Sequence, residues 1–159
     1  MTGKTWYFDA WRNIRALIPW FHKDVGWCSQ GYISGACGAL DEIEKAINDI
    51  NISNKPVIVC GHSLGAAVAT LCAADMIRDG RQPLELVTFG SPAVGDTYFA
   101  RNMDNMFAAH TRYTQTFDTV TRLPLSWLWR HCGGKVVVGK GMHRMSGYVN
   151  AIDNLTRLL

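Results

Sequence analysis

A Gly-His-Ser-Leu-Gly pentapeptide at residues 61–65, directly behind the short apolar run Val57-Ile58-Val59-Cys60, constrains this chain more than any other feature. A strand that turns sharply into a helix would present Ser63 there as a nucleophile. The flanking glycines fit such a turn, because a side chain at Gly61 or Gly65 is expected to collide with the incoming helix or force a strained backbone. Ala66, Ala67 and Ala69 keep the following helix slim enough to lie close on the strand. A helix starting just past Ser63 also aims free backbone N–H groups, that of Leu64 among them, at the space where a reacting oxyanion would sit.

The 159 residues, 48% of them hydrophobic, suit one globular domain over residues 1–159 with a sizeable core. The net charge of +3 is small and scattered, so no electrostatic case exists for a nucleic-acid partner. No charged start leads into an apolar h-region and no apolar run is long enough to cross a bilayer, so the chain as written reads as soluble and cytoplasmic, without stable membrane insertion. Cys28, Cys37, Cys60, Cys72 and Cys132 make an odd count without CxxC spacing, which points neither to a zinc site nor to a closed disulfide framework. Cys60 and Cys72 read as buried small apolar residues. Gly133-Gly134-Lys135 lacks P-loop spacing and no dinucleotide fingerprint occurs, so no metal or cofactor is expected.

Helical and strand patterns alternate, which favours an α/β layer architecture. Residues 9–21 carry Trp11, Ile14, Leu17 and Ile18 at helical spacing, with Pro19 as the stop. Residues 34–50 form a clearer amphipathic helix with Leu40, Ile43, Ala46, Ile47 and Ile50 on one side. A buried strand is expected at 57–60, a helix at 64–79, a strand at 85–89 and a helix at 95–106. Strands at 111–117 and 135–138 and a closing helix at 146–159 follow.

A serine hydroxyl needs an imidazole to accept its proton and a carboxylate to fix that imidazole's tautomer. In strand-turn-helix hydrolases the order along the chain is nucleophile, acid, histidine. Asp118 suits the acid position, directly after the strand at 111–117, whereas Asp96, Asp104 and Asp153 fall in or beside helices as solvated or capping residues. Only His131 and His143 follow Asp118. His143 comes after the strand at 136–138 on a Gly-rich loop, and the chain-order template favours it over His131.

Four blocks, in order, resemble the class 3 lipases, the fungal-lipase-like branch of the α/β hydrolases. Residues 57–69 look like the nucleophile elbow, and Phe89-Gly90-Ser91-Pro92-Ala93-Val94-Gly95-Asp96 resembles an FGxPxVGN signature. Asp118-Thr119-Val120-Thr121-Arg122-Leu123-Pro124 is similar to the family's D-x-V-x-x-L-P acid block. His131-Cys132-Gly133, then His143 and Tyr148, resemble the tail, and Gly31-Tyr32 resembles the step into the first large helix. The resemblance implies an α/β-hydrolase-like three-layer sandwich with a mostly parallel sheet. It implies a triad of Ser63, Asp118 and His143, and cleavage of carboxylic esters of lipids or small acyl esters through an acyl-enzyme.

The N-terminus departs from that pattern. Thr2-Gly3-Lys4-Thr5, followed by Asp9, Trp11 and Asn13, resembles the turn that gives a second oxyanion donor, which would make the N–H of Thr5 or of Lys4 a candidate beside that of Leu64. The strand before that turn is not found, so the sheet is expected to lack N-terminal strands and leave residues 57–60 as an apolar edge, which proteins avoid exposing. Either a second copy or a partner chain would cover it, or the chain is an N-terminally truncated piece whose strand lies upstream.

His62 reads as packing or local hydrogen bonding, and His22 and His110 as surface residues. Trp6, Tyr7, Phe8, Trp11, Trp20 and Phe21 read as core, while Trp127-Leu128-Trp129 could wall an acyl pocket or touch lipid, with Arg122 and Arg130 beside it. Two other functions fit the same residues: an acyltransferase using the same triad, and a non-catalytic hydrolase-like module completed by a partner strand.

Overall fold

The computed structural model describes residues 19–22, 26–29, 32, 42–43, 45–46, 49–50, 55–107, 109–125 and 127–157. Its centre is a parallel sheet in the order β3 (Ile58–His62), β4 (Glu85–Phe89), β6 (His110–Gln115) and β8 (Gly134–Gly139). Parallel neighbours need crossovers, which helices supply. α1 (Leu64–Arg78) joins β3 to β4, and α2 (Thr97–Met106) lies between β4 and β6. α3 (Met145–Thr156) follows β8. Register runs from Gly61 opposite Thr88 to Phe89 opposite Tyr113 and Tyr113 opposite Val136, which brings the ends of the strands to one side.

Burial follows the sequence pattern where strands have neighbours on both sides. In β4, Leu86 and Thr88 are fully buried and the residues between them are not. α1 is lined by small residues, and its Ala67, Ala69, Leu71, Cys72, Ala73 and Ala74 pack with Leu86, Val94, Phe99 and Met103 in the main core. Thr70 sits inside this helix at no hydrogen-bonding cost, its hydroxyl donating to the Ala66 carbonyl at 2.9 Å. α2 is capped by Asp96, which accepts from the Phe99 N–H at 2.8 Å, as its reading as a capping residue expected.

A second, antiparallel sheet runs β1 (Pro19–His22), β2 (Gly26–Ser29), β5 (Gly95–Asp96), β7 (Trp129–Arg130). This corrects the helical reading of residues 9–21 at its end: Pro19 opens a strand paired with Ser29. Proline has no N–H to donate and is accepted at the first residue of an edge strand. Residues 1–18 lie outside the described residues, with Trp6, Tyr7, Phe8 and Trp11 among them. Of residues 34–50, the described positions 42–43, 45–46 and 49 are helical.

Three further readings change. Among the described residues β3 pairs only with β4, so it is not a buried strand: Ile58 is 56% exposed and Cys60 is exposed. His110 is buried rather than on the surface, beside the Thr88 hydroxyl at 3.5 Å. The Trp127-Leu128-Trp129 run is split, with Trp129 buried in β7 and Trp127 81% exposed. No helix among the described residues is long and apolar enough to cross a membrane.

Candidate active site

Ser63 sits where β3 becomes α1, at φ 59 and ψ −128, and is the positive-φ residue other than glycine among those described. Such a conformation costs an L-residue about 1–3 kcal/mol and persists only where surrounding structure enforces it. The turn around it packs backbone closely against backbone. A Cβ on Gly61 would lie 2.6 Å from the Gly65 carbonyl carbon and 2.8 Å from the Ala66 nitrogen. Among the described residues a Cβ on Gly65 would meet nothing within 4 Å, which departs from the expectation that both glycines are sterically required.

A serine at the N-cap ordinarily turns its hydroxyl onto its own helix. Ser63 makes no such side-chain cap. Its Oγ instead lies 2.7 Å from Nε2 of His143, eighty residues later in the chain. His143 stands on the loop between β8 and α3, and its Nδ1 lies 2.9 and 2.8 Å from the two carboxylate oxygens of Asp118. A carboxylate only accepts, so Nδ1 carries the proton and Nε2 is left to accept from the serine.

Asp118 follows β6 and is fully buried. A buried carboxylate needs donors for its lone pairs. Besides His143 it accepts from the Val120 N–H at 2.9 Å through Oδ1 and from the Tyr148 hydroxyl at 2.6 Å through Oδ2. Tyr148, from α3, is buried too, and burial first, then its bond to Asp118, pushes its phenol well above the ordinary tyrosine range. The structure therefore brings Ser63, Asp118 and His143 together. His131, the other histidine after Asp118, does not reach Ser63; its Nε2 bonds the Thr121 carbonyl at 2.9 Å.

Leu64 opens α1, where the first N–H groups have no intrahelical carbonyl to meet. Thr5 lies outside the described residues.

Sequence reasoning missed the roles of three residues around this group. Gly90 has φ +59, and a Cβ on it would stand 2.7 Å from Asp118 Oδ2 and 3.1 Å from His143 Nδ1. A glycine ending a strand was the available signal. Gln115, buried at the end of β6, packs where a Cβ on Gly141 would be and 3.2 Å from where one on Gly147 would be, so these glycines let the His143 loop and the start of α3 close over it. The sequence marks Tyr148 only as part of the family tail, with no local signal of its bond to the acid, although a buried Asp118 demands a donor beyond the imidazole.

Residues 2–127 match the model of the lipase (class 3) family. The chain is 48% identical over 122 residues to the secreted mono- and diacylglycerol lipase 1 of Fusarium solani, covering 70% of this chain and 36% of that protein. It resembles the solved structure of Rhizomucor miehei triacylglyceride lipase with a TM-score of 0.69 and 27% identity, over 76% of this chain and 49% of that one. For lipase II from Rhizopus niveus the TM-score is 0.73 at 25% identity, over 86% and 55%. The chain thus spans little more than a third of that Fusarium relative's length. The fold shared with these structures is the α/β-hydrolase fold, as the resemblance implied. Carrying the family's match across most of its length, this chain belongs to the class 3 lipases.

Proposed function

We propose that the chain is a serine hydrolase that cleaves carboxylic esters of lipids, with Ser63, His143 and Asp118 as its triad and residues 1–159 as one domain. The observation that carries this reading is the unbroken relay Ser63 Oγ to His143 Nε2 at 2.7 Å and His143 Nδ1 to Asp118 at 2.8 Å. The Ser63 hydroxyl attacks the ester carbonyl carbon while its proton passes to Nε2 of His143. The carbonyl oxygen becomes an oxyanion against the Leu64 N–H, and Thr5 is the proposed second donor. Collapse breaks the ester C–O bond, His143 returns the proton to the leaving alkoxide, and an alcohol departs. Water, deprotonated by His143, then releases the acyl group as a carboxylic acid and restores Ser63.

Acylglycerols are the proposed substrate class, supported by the mono- and diacylglycerol lipase name of the Fusarium relative. Leu125 and Trp127, both strongly exposed on the segment that follows Asp118, are the proposed apolar contact for such a substrate. Hydrolysis of mono-, di- and triacylglycerol emulsions beside a chain-length series of nitrophenyl esters tests the reading. Ser63-dependent release of fatty acid supports it, and no turnover of any ester by the folded chain contradicts it. Product analysis with a competing alcohol separates hydrolysis from acyl transfer. A second copy or partner chain over the β3 edge belongs to the same proposal, and solution mass reads it.

A further inference from the structure

His62, inside the Gly-His-Ser-Leu-Gly turn, is the polar residue that the reaction above leaves unused. It closes β3, and its ring lies on that of His143 with centroids 4.8 Å and planes 21° apart. Tyr148 meets the same ring edge-on at 5.9 Å. Both separations fall in the range of aromatic pairs, about 4.5–7 Å. The Nε2 atom of His62 is buried and has no hydrogen-bond partner among the described residues. A second proton on a ring whose buried nitrogen lacks an acceptor would be poorly stabilised. His62 is accordingly held below the ordinary histidine range by burial, then by His143, with Asp118 pulling the other way.

We propose that His62 is a positioning residue for His143: an uncharged aromatic platform that fixes the plane of the catalytic ring and supports the imidazolium formed during turnover. This rests on the serine-hydrolase reading. Tilting the His143 ring about its Cβ–Cγ bond would carry Nε2 away from Ser63 and Nδ1 away from Asp118, and the stacked face of His62 opposes that tilt. When Nε2 takes the serine proton, the new positive charge lies over an aromatic face, which attracts cations. A charged His62 at the same place would repel it. The titratable groups facing His62 are His143 from the loop after β8, Asp118 from the loop after β6, and Tyr148 from α3. Of these only Asp118 carries negative charge, and its lone pairs are directed to His143, Tyr148 and the Val120 N–H.

Imidazole 15N spectra of the unmodified chain from pH 8 to pH 4 test the platform without turnover. The His62 ring is expected to take its second proton below the pH at which a free imidazole does, and protonation at or above that pH overturns the proposal. His62→Phe keeps an aromatic face and His62→Leu removes it. The Leu variant is expected to lose about three- to tenfold in kcat with KM unchanged, and its acid limb of kcat/KM to move about half a pH unit lower. The Phe variant is expected to stay within about twofold of the parent. Equal kcat in all three chains, or a loss carried by KM, overturns the proposal. If the parent hydrolyses no ester, the serine-hydrolase reading fails, and the protonation of His62 still decides whether it is an uncharged platform.

Discussion

The Tyr148 hydroxyl donates at 2.6 Å to Oδ2 of Asp118, the same oxygen that lies 2.8 Å from Nδ1 of His143. One carboxylate oxygen thus ties the helix after the histidine loop to the histidine itself. Tyr148→Phe leaves a buried acceptor short of a donor, a loss of roughly 1–2 kcal/mol. We expect Tm to fall by about 2–8 °C and kcat/KM to drop about tenfold, with KM unmoved. A variant melting like the parent would show that the bond adds nothing. Because burial raises the phenol's pKa, its contribution to stability is full below the unfolded tyrosine value near pH 10 and fades as pH rises beyond it.

Gly90 makes room for Asp118 and His143 at once. Its φ is +59, and a methyl group there would stand 2.7 Å from Asp118 Oδ2, so any side chain displaces the pair. Displacements near 1 Å in a reacting constellation cost on the order of a hundredfold. Gly90→Ala is therefore expected to lose at least that much in kcat/KM, and retention of activity within tenfold would contradict the geometry.

The two glycines of the turn separate in the same way. Gly61→Ala pushes a methyl into the backbone of α1 and is expected to cost about 3 kcal/mol or more. Gly65→Ala meets none of the described residues and favours helix, so it is expected to gain up to about 1 kcal/mol. Urea denaturation of both variants checks the sign of each change, and equal destabilisation would refute the contrast.

His110 and His131 predict an acid-labile core. Burial first, then the Arg112 charge, holds each at about 4, well below an unfolded histidine. A depressed histidine contributes stability above the unfolded value near pH 6.5 and loses it as pH falls toward 4. Tm should decline across that window, by an amount of order a few kcal/mol in stability. The decline should flatten in a His110→Gln, His131→Gln chain, and a parent whose Tm is level from pH 7 to 4.5 would contradict the assignment.

Much of the fold was legible in the sequence because its parallel strands are short apolar or alternating runs bounded by glycine, as in Glu85–Phe89 before Gly90. The chain-order rule likewise placed Ser63, Asp118 and His143 without any knowledge of contacts. What escaped was set by partners distant in sequence. Pro19 looked like a helix stop until the pairing with Ser29 showed a hairpin. His110 looked exposed because nothing local reveals that the inward face of β6 is polar, with His110, Arg112 and Thr114 all buried. Tyr148 is a helix residue like any other until Asp118, thirty positions earlier, is placed beneath its hydroxyl.

The central claim is that Ser63 is a nucleophile activated by His143, and labelling with a fluorophosphonate probe tests it most directly. The account predicts one adduct by intact mass, located on Ser63 by peptide mapping, and none in Ser63→Ala or His143→Ala. A folded parent chain that takes up no probe, or an adduct that persists in Ser63→Ala, would contradict it.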